Sequence, residues 1–251
     1  MSEGTHGGDG DGREARHTAT ARLLWAPRPQ PARGPRPTLD LPGIARAGVA
    51  VADAEGLAAV SMQRVAAQLG VTKMALYRYV PGKAELIALM VDAALAPLPA
   101  EDEPRPGWRG RLTAWAHHLL DGFGRHPWLL EATVGPRVLG PAELAWTERA
   151  VAALDGTPLT GAERLDAAVL LTGHVRTLAQ QGRAAGPEGN AEAQLHALLG
   201  GILRDHAARF PAVTAAFSAA AAEPATAQDQ AWEFGLHRIL DGLEKLIAER
   251  S

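Results

Sequence analysis

Residues 61–83 read SMQRVAAQLGVTKMALYRYVPGK. Two short stretches of helical spacing flank a glycine, and the second runs into Tyr-Arg-Tyr, Pro-Gly and a lysine. Ser61 stands where an N-cap belongs, its oxygen available to the free amides of a first turn. Met62, Val65, Ala66 and Leu69 then recur at i, i+3, i+4 and i+7, which predicts a helix over 62–69. Gly70 suits the left-handed backbone that ends a helix and turns it sharply. Thr72 can cap a second helix over 73–80, in which Leu76 and Val80 form an i, i+4 apolar pair. With that pair turned inward, Lys73, Met74, Ala75, Tyr77 and Arg78 face outward and Tyr79 lies at the margin.

Both neighbouring stretches also have helical spacing. Upstream, Leu41, Ile44, Ala45, Gly48, Val51 and Ala52 predict a helix that stops near Gly56. Downstream of Pro81-Gly82, the residues Leu86, Ile87, Met90 and Ala94 predict another over 83–95. Helices below about 12 residues are marginal in water, so these flanking helices must hold the two short ones. Two short helices joined by a tight Gly-containing turn make a helix-turn-helix. The outward set offers a cation, small groups that can meet a thymine methyl, and hydroxyls that reach phosphates, as major-groove reading requires. A helical corner with a solvated face would show the same spacing, and the residues alone leave both readings open.

Composition narrows the field. Of 251 residues, 47% are hydrophobic, enough to bury a core in one large or two unequal domains. Ala, Leu, Glu and Arg dominate while β-branched and aromatic residues are sparse, so an all-α protein is expected. Cysteine is absent, which excludes disulfides, zinc-thiolate sites and cysteine nucleophiles. The start, MSEGTHGGDGDG, lacks the pattern of a signal peptide, and no run of about 18 apolar residues occurs. A cytoplasmic protein with no membrane partner is expected. Net charge is −3, but residues 1–83 hold 11 Lys/Arg against 7 Asp/Glu and the remainder 14 against 21. A positive N-terminal part on an acidic body fits a phosphate-facing module joined to a larger domain.

Residues 40–95, and within them IARAGVAVADAEGLAAVSMQRVAAQLGVTKMALYRYVPGKAELIALMVD, resemble the DNA-binding domain of the tetracycline-repressor (TetR) family of bacterial transcriptional regulators. The order matches: a first helix ending in Gly, then S/T-M-x-x-V-A-x-x-L-G-V, x-x-x-L-Y-x-Y/H-V/F and x-x-K-x-x-L. The resemblance implies that Gln63, Lys73, Met74 and Ala75 face base edges, with Thr72 beside them as a further DNA-binding residue. It implies that Tyr77 and Tyr79 meet phosphates, and that Lys83 does so at the mouth of a helix whose N-terminus also favours an anion. Arg78 stands where members vary, and a base or a phosphate contact is open to it. Gln63 replaces the Arg of many members.

Residues 1–38 are expected as a disordered tail, 39–95 as the DNA-binding domain and 96–251 as a helical domain for ligand binding and dimerisation. In the tail, Pro27, Pro29, Pro31, Pro35 and Pro37 forbid a helix around them. Arg28, Arg33 and Arg36 either form a groove-reaching arm or do nothing specific. In the larger part, helical spacing runs from Trp108 to Phe123, over 128–134, from Leu144 to Leu154, from Thr160 to Gln180 and from Leu195 to Phe210. An Ala-rich connection leads to a last helix over 229–248. Helices 163–181 and 229–248 are apolar beyond a single stripe, so they are either central to a bundle or shared with another subunit. The resemblance implies the second: a homodimer joined by late helices, reading a palindromic operator with two linked heads.

The resemblance also places a small-molecule effector in this part, with Trp115, His118, Trp128, Trp146, His174 and Arg176 as candidate ligand-binding residues. Core tryptophans and half-exposed histidines would look the same. No catalytic residues, cofactor or metal are expected: His117, His118, Asp121 and His126 do not share a helical face. H-E-x-x-H, G-x-S-x-G and phosphate-loop motifs are missing. A helical adaptor that binds only protein would explain the late helices and leave Lys73, Tyr77, Tyr79 and Lys83 without a purpose. A non-enzymatic regulator, expected to be a repressor released by its effector, accounts for both parts.

Overall fold

The computed structural model describes residues 8–26, 39–96, 98, 107–185, 191–222 and 231–250, and every regular element among them is helical. The chain divides into two compact units, residues 1–104 with 125–150, and residues 105–124 with 151–251. This is not the sequential division expected at 95/96. Segment 125–150 packs with the N-terminal helices, for reasons visible in its hydrogen bonds.

In the first unit, α2 (Leu41–Glu55) begins at Asp40, whose carboxylate accepts from the Gly43 amide at 2.7 Å. It ends at Gly56, where φ is +84°. A 3-10 turn (Leu57–Ala59) leads to Ser61, which caps α3 (Met62–Gln68) by accepting from Arg64 N at 3.1 Å. Gly70 takes φ +67° at the turn, and Thr72 caps α4 (Lys73–Tyr77) by accepting from Ala75 N at 3.2 Å. The second short helix is thus three residues shorter than expected. Its last turn tightens instead, with the Tyr79 and Val80 amides both donating to Leu76 O.

Leu76 and Val80 are fully buried, as are Ile44, Val51, Val65, Leu86 and Met90 of the same unit. Side chains of this kind stabilise by roughly 1.5–3 kcal/mol each on burial, which is how a five-residue helix persists. α5 (Lys83–Leu95) crosses α2 at Gly48, where an added Cβ would lie 2.7 Å from Met90 Sδ.

The end of α5 holds the 125–150 segment. Buried Asp92 accepts from Ala142 N at 2.8 Å, at the start of α8 (Pro141–Ala152). The indole of Trp146 on α8 donates to Leu95 O at 3.0 Å. The short α7 (Leu129–Ala132) buries Leu129 and Leu130 in the same unit.

The expected tail is not featureless, because α1 (Gly8–Trp25) packs against α5. Thr20 and Leu24 are buried, and Trp25 Nε1–H donates to Leu139 O at 3.0 Å. Two buried positions a turn apart suffice to dock a helix, and every proline of the N-terminal stretch lies beyond Trp25. Arg28, Arg33 and Arg36 lie outside the described residues.

The second unit contains α6 (Gly107–Arg125), α9 (Gly161–Ala185), α10 (Ala191–Asp205), α11 (Pro211–Ala222) and α12 (Ala231–Ala248). The Ala-rich connection expected before the last helix is itself α11, since Ala is the strongest helix former. Leu112, Trp115, Leu119, Leu171, Val175, Leu236 and Leu240 form its core. Arg109 on α6 pairs with Asp241 on α12 at 2.6 Å and with Glu244 at 3.1 Å.

Candidate nucleic-acid interface

α4 presents two faces. Leu76 and Val80 are inward and inaccessible, while Lys73, Met74, Tyr77, Arg78 and Tyr79 are all exposed and Ala75 is half-buried. Met74 is 72% exposed, an apolar side chain with no core to fill. Lys73 Nζ lies 5.6 Å from the Tyr77 ring centroid, so the cation rests over an aromatic face and both are steadied toward the same side. Gln63 is exposed one residue into α3, and Lys83 is exposed at the first position of α5. Thr72 spends its hydroxyl on the α4 cap and keeps its exposed position beside Lys73.

Arg64 supports this face without belonging to it. Its guanidinium grips Glu55 on α2 at 2.6 Å and the Gln68 side chain at 3.0 Å. Donating to the Glu55 carboxylate raises the guanidinium above its already high ordinary range, and the same bonds link α2 to α3. Lys73, Arg78 and Lys83, by contrast, are exposed cations on and just after α4 and at the start of α5. Exposed cations are the groups that suit phosphates, and Met74 and Ala75 add uncharged surface beside them.

The six effector candidates fall in different parts of the fold. Trp128 and Trp146 belong to the first unit, where Trp128 Nε1–H donates to Asp53 at 2.7 Å and Trp146 binds Leu95 O. Both indoles are buried. In the second unit Trp115 is buried in the core and His118 is half-buried on α6. His174 stacks on Trp232 with centroids 5.4 Å apart, its Nε2 at 3.1 Å from the Trp232 carbonyl. The Arg176 guanidinium lies 5.5 Å over Phe123. Among the described residues no group of three or more His, Cys, Asp or Glu side chains is placed to hold a metal ion.

Sequence reading missed Asp53, Arg64 and Asp92. Each takes its meaning from a partner, and for Asp53 and Asp92 that partner lies 50 or more residues away. For Arg64 the alternation of a Glu and an Arg nine residues apart on adjoining helices was the available signal.

Residues 44–90 match the family model described as bacterial regulatory proteins, tetR family. Residues 98–247 match the tetracyclin repressor-like C-terminal domain. The chain is 39% identical over 240 residues to the HTH-type transcriptional repressor DrrR1 of Streptomyces coeruleorubidus, covering 92% of this chain and 87% of the relative. Apo ActR of Streptomyces coelicolor superposes with a TM-score of 0.70 at 25% identity, over 86% of this chain and all of ActR. ActR in complex with actinorhodin gives 0.70 at 26% identity, over 85% and 99% of the two chains. No helix among the described residues is long and apolar enough to cross a membrane. An N-terminal helix-turn-helix that matches the family model and a matching helical C-terminal domain lead to one assignment: the chain belongs to the TetR family of bacterial transcriptional regulators.

Proposed function

We propose that this regulator is a cytoplasmic repressor that binds a palindromic operator as a homodimer and leaves it when a small molecule binds. The observation that carries the DNA part is the division of α4, with Leu76 and Val80 buried and Lys73, Met74, Tyr77 and Arg78 outward. Lys73, Met74, Ala75 and Gln63 read bases in this proposal; Tyr77, Tyr79 and Lys83 bind phosphates, and Arg78 takes either role. A 39%-identical relative that is a repressor supports the sign of regulation.

Support for the dimer comes from α9 and α12. Leu165, Val169 and Leu170 are 52%, 70% and 55% exposed, and Phe234 is 66% exposed. Such apolar side chains on two adjacent helices fit a large, permanent interface. The effector part rests on the C-terminal domain match and on ActR, which has been seen with actinorhodin bound. Trp115, His118, His174 and Arg176 remain the candidates within the second unit. Trp128 and Trp146, candidates in the first unit, also tie that unit together through their indole N–H groups.

The test is selection of bound fragments from random duplex DNA by the full-length protein at near-physiological salt. A two-fold symmetric motif is expected, with affinity that falls as salt rises. Recovery of nothing by a folded protein would overturn the DNA part, and an adaptor role would replace it.

A further inference from the structure

The reading surface leaves one feature of the first unit unexplained. Asp53 lies on the last turn of α2, and a single oxygen, Oδ1, accepts from Trp128 Nε1–H at 2.7 Å and meets His126 Nδ1 at 2.8 Å. Trp128 is 2% exposed, and a buried indole N–H requires an acceptor. Asp53 keeps 33% of its side-chain surface, so its charge stays hydrated and the bond does not carry the penalty of a fully buried ion.

The two donors are not independent. They flank Pro127, whose ring restricts the backbone between them, and their own rings are tilted together with centroids 6.1 Å apart. His126 is also two residues beyond the point where the chain passes from the second unit into the first.

On the other side of the bond, Asp53 is well connected to the DNA-reading helices. Two residues along α2, Glu55 holds Arg64 of α3 at 2.6 Å. Five residues back, Gly48 lets α2 seat against Met90 of α5. Whatever fixes the end of α2 therefore bears on α3 and on the body of α5 as well.

We propose that Asp53 is a positioning residue for DNA recognition: it pins the end of α2 to the His126–Pro127–Trp128 corner and so sets the angle at which α3 and α4 meet the groove. Base contacts need that angle, because they depend on placement to a fraction of an ångström. Phosphate contacts tolerate its loss, because charge attraction is broad. The inference rests on the DNA reading above but not on the operator being palindromic.

The test compares full-length wild type, Asp53→Ala, Asp53→Asn, Trp128→Phe and the double variant Asp53→Ala/Trp128→Phe on the selected site and on random duplex of equal length. Asp53→Ala should weaken the selected site by about tenfold, the size of a hydrogen bond to a charged group, and leave random duplex within about twofold. Trp128→Phe, which keeps the ring and removes the donor, should lose specificity in the same way to a smaller extent. Asp53→Asn keeps an acceptor oxygen and should recover most of the loss. The double variant should lose no more than Asp53→Ala, since both substitutions break one interaction.

Equal losses on both DNAs, together with a lower melting temperature, would reduce Asp53 to a stabilising residue and overturn the proposal. So would unchanged specificity, or additive losses in the double variant. Wild-type selection tests the DNA reading and the variant-to-wild-type ratio tests Asp53; if wild type selects no site, both fall.

Discussion

A methyl group built on Gly235 would stand 2.8 Å from Nε2 of His174 and nearer still to its Cε1, so α12 passes α9 here only because residue 235 has no side chain. His174 in turn stacks on Trp232 and bonds its carbonyl. Gly235→Ala must displace the imidazole. Overpacking costs about 1–3 kcal/mol, and Ala regains about 1 kcal/mol over Gly inside a helix, leaving a net loss of about 1 kcal/mol. Gly122→Ala in α6, where an added methyl meets nothing within 4 Å, is the matched control and should be neutral or stabilising. Denaturant unfolding of both variants decides it; equal midpoints would show that α9 and α12 can part without cost.

Acid should act at Glu163. Thr160 and Glu163 form a capping box at the start of α9, with Thr160 N donating to Glu163 Oε2 at 2.8 Å and Glu163 N to Thr160 Oγ1 at 3.3 Å. Arg250, past the end of α12, adds two hydrogen bonds at 2.5 and 2.7 Å. Arg250 foremost, then the Thr160 amide, hold the carboxyl down to about 2. Its folded value lies below its unfolded one, so this contribution is complete at neutral pH and is lost as pH falls from the ordinary glutamate range toward 2. Arg250→Ala should raise the Glu163 titration midpoint, read from its side-chain carboxyl resonance. A midpoint that stays put would mean that Arg250 does not engage it in solution.

On DNA, Tyr77→Ala and Lys73→Ala should differ in kind. Tyr77→Ala removes a proposed phosphate contact and the ring under Lys73, so binding should weaken on every sequence. Lys73→Ala should cost about 1–3 kcal/mol on the operator and relax preference at one base step. Gel shifts on the operator and on single-base variants separate the two. A uniform loss for Lys73→Ala would assign it to phosphate.

Val169→Glu tests the dimer. Val169 is 70% exposed between Leu165 and Leu170, and a carboxylate there would have to be desolvated in any interface over that face. Sedimentation should show dimeric wild type and monomeric variant with unchanged helicity. A variant that remains dimeric would move the interface elsewhere.

How much of this could be read from the chain depended on the distance between partners. The helix-turn-helix was legible because its signals are local: Ser61 and Thr72 cap within three residues, Gly70 turns within one, and Leu76 and Val80 are a single turn apart. Even there, the end of α4 was overrun, because spacing cannot distinguish a last helical turn from the tighter turn at Arg78–Tyr79. Elsewhere the reading failed where meaning was remote. Trp25 finds its acceptor 114 residues away, so nothing near it announced that α1 docks. The acceptor of the Trp128 N–H, Asp53, lies 75 residues earlier and could not be read from the residues around it. The alanines of α11 were too uniform to show a stripe, and their composition alone was a weaker clue than it should have been.

The brevity of α4 also bears on how such a regulator changes what it reads. Leu76 and Val80 are the fully buried side chains of residues 73–80, set between exposed positions on either side. The exposed residues 73, 74, 77 and 78 are therefore a set whose side chains lie apart from the buried pair that mounts the segment. On the proposed DNA reading, a shift in operator choice can come from surface substitutions that leave Leu76 and Val80 in place.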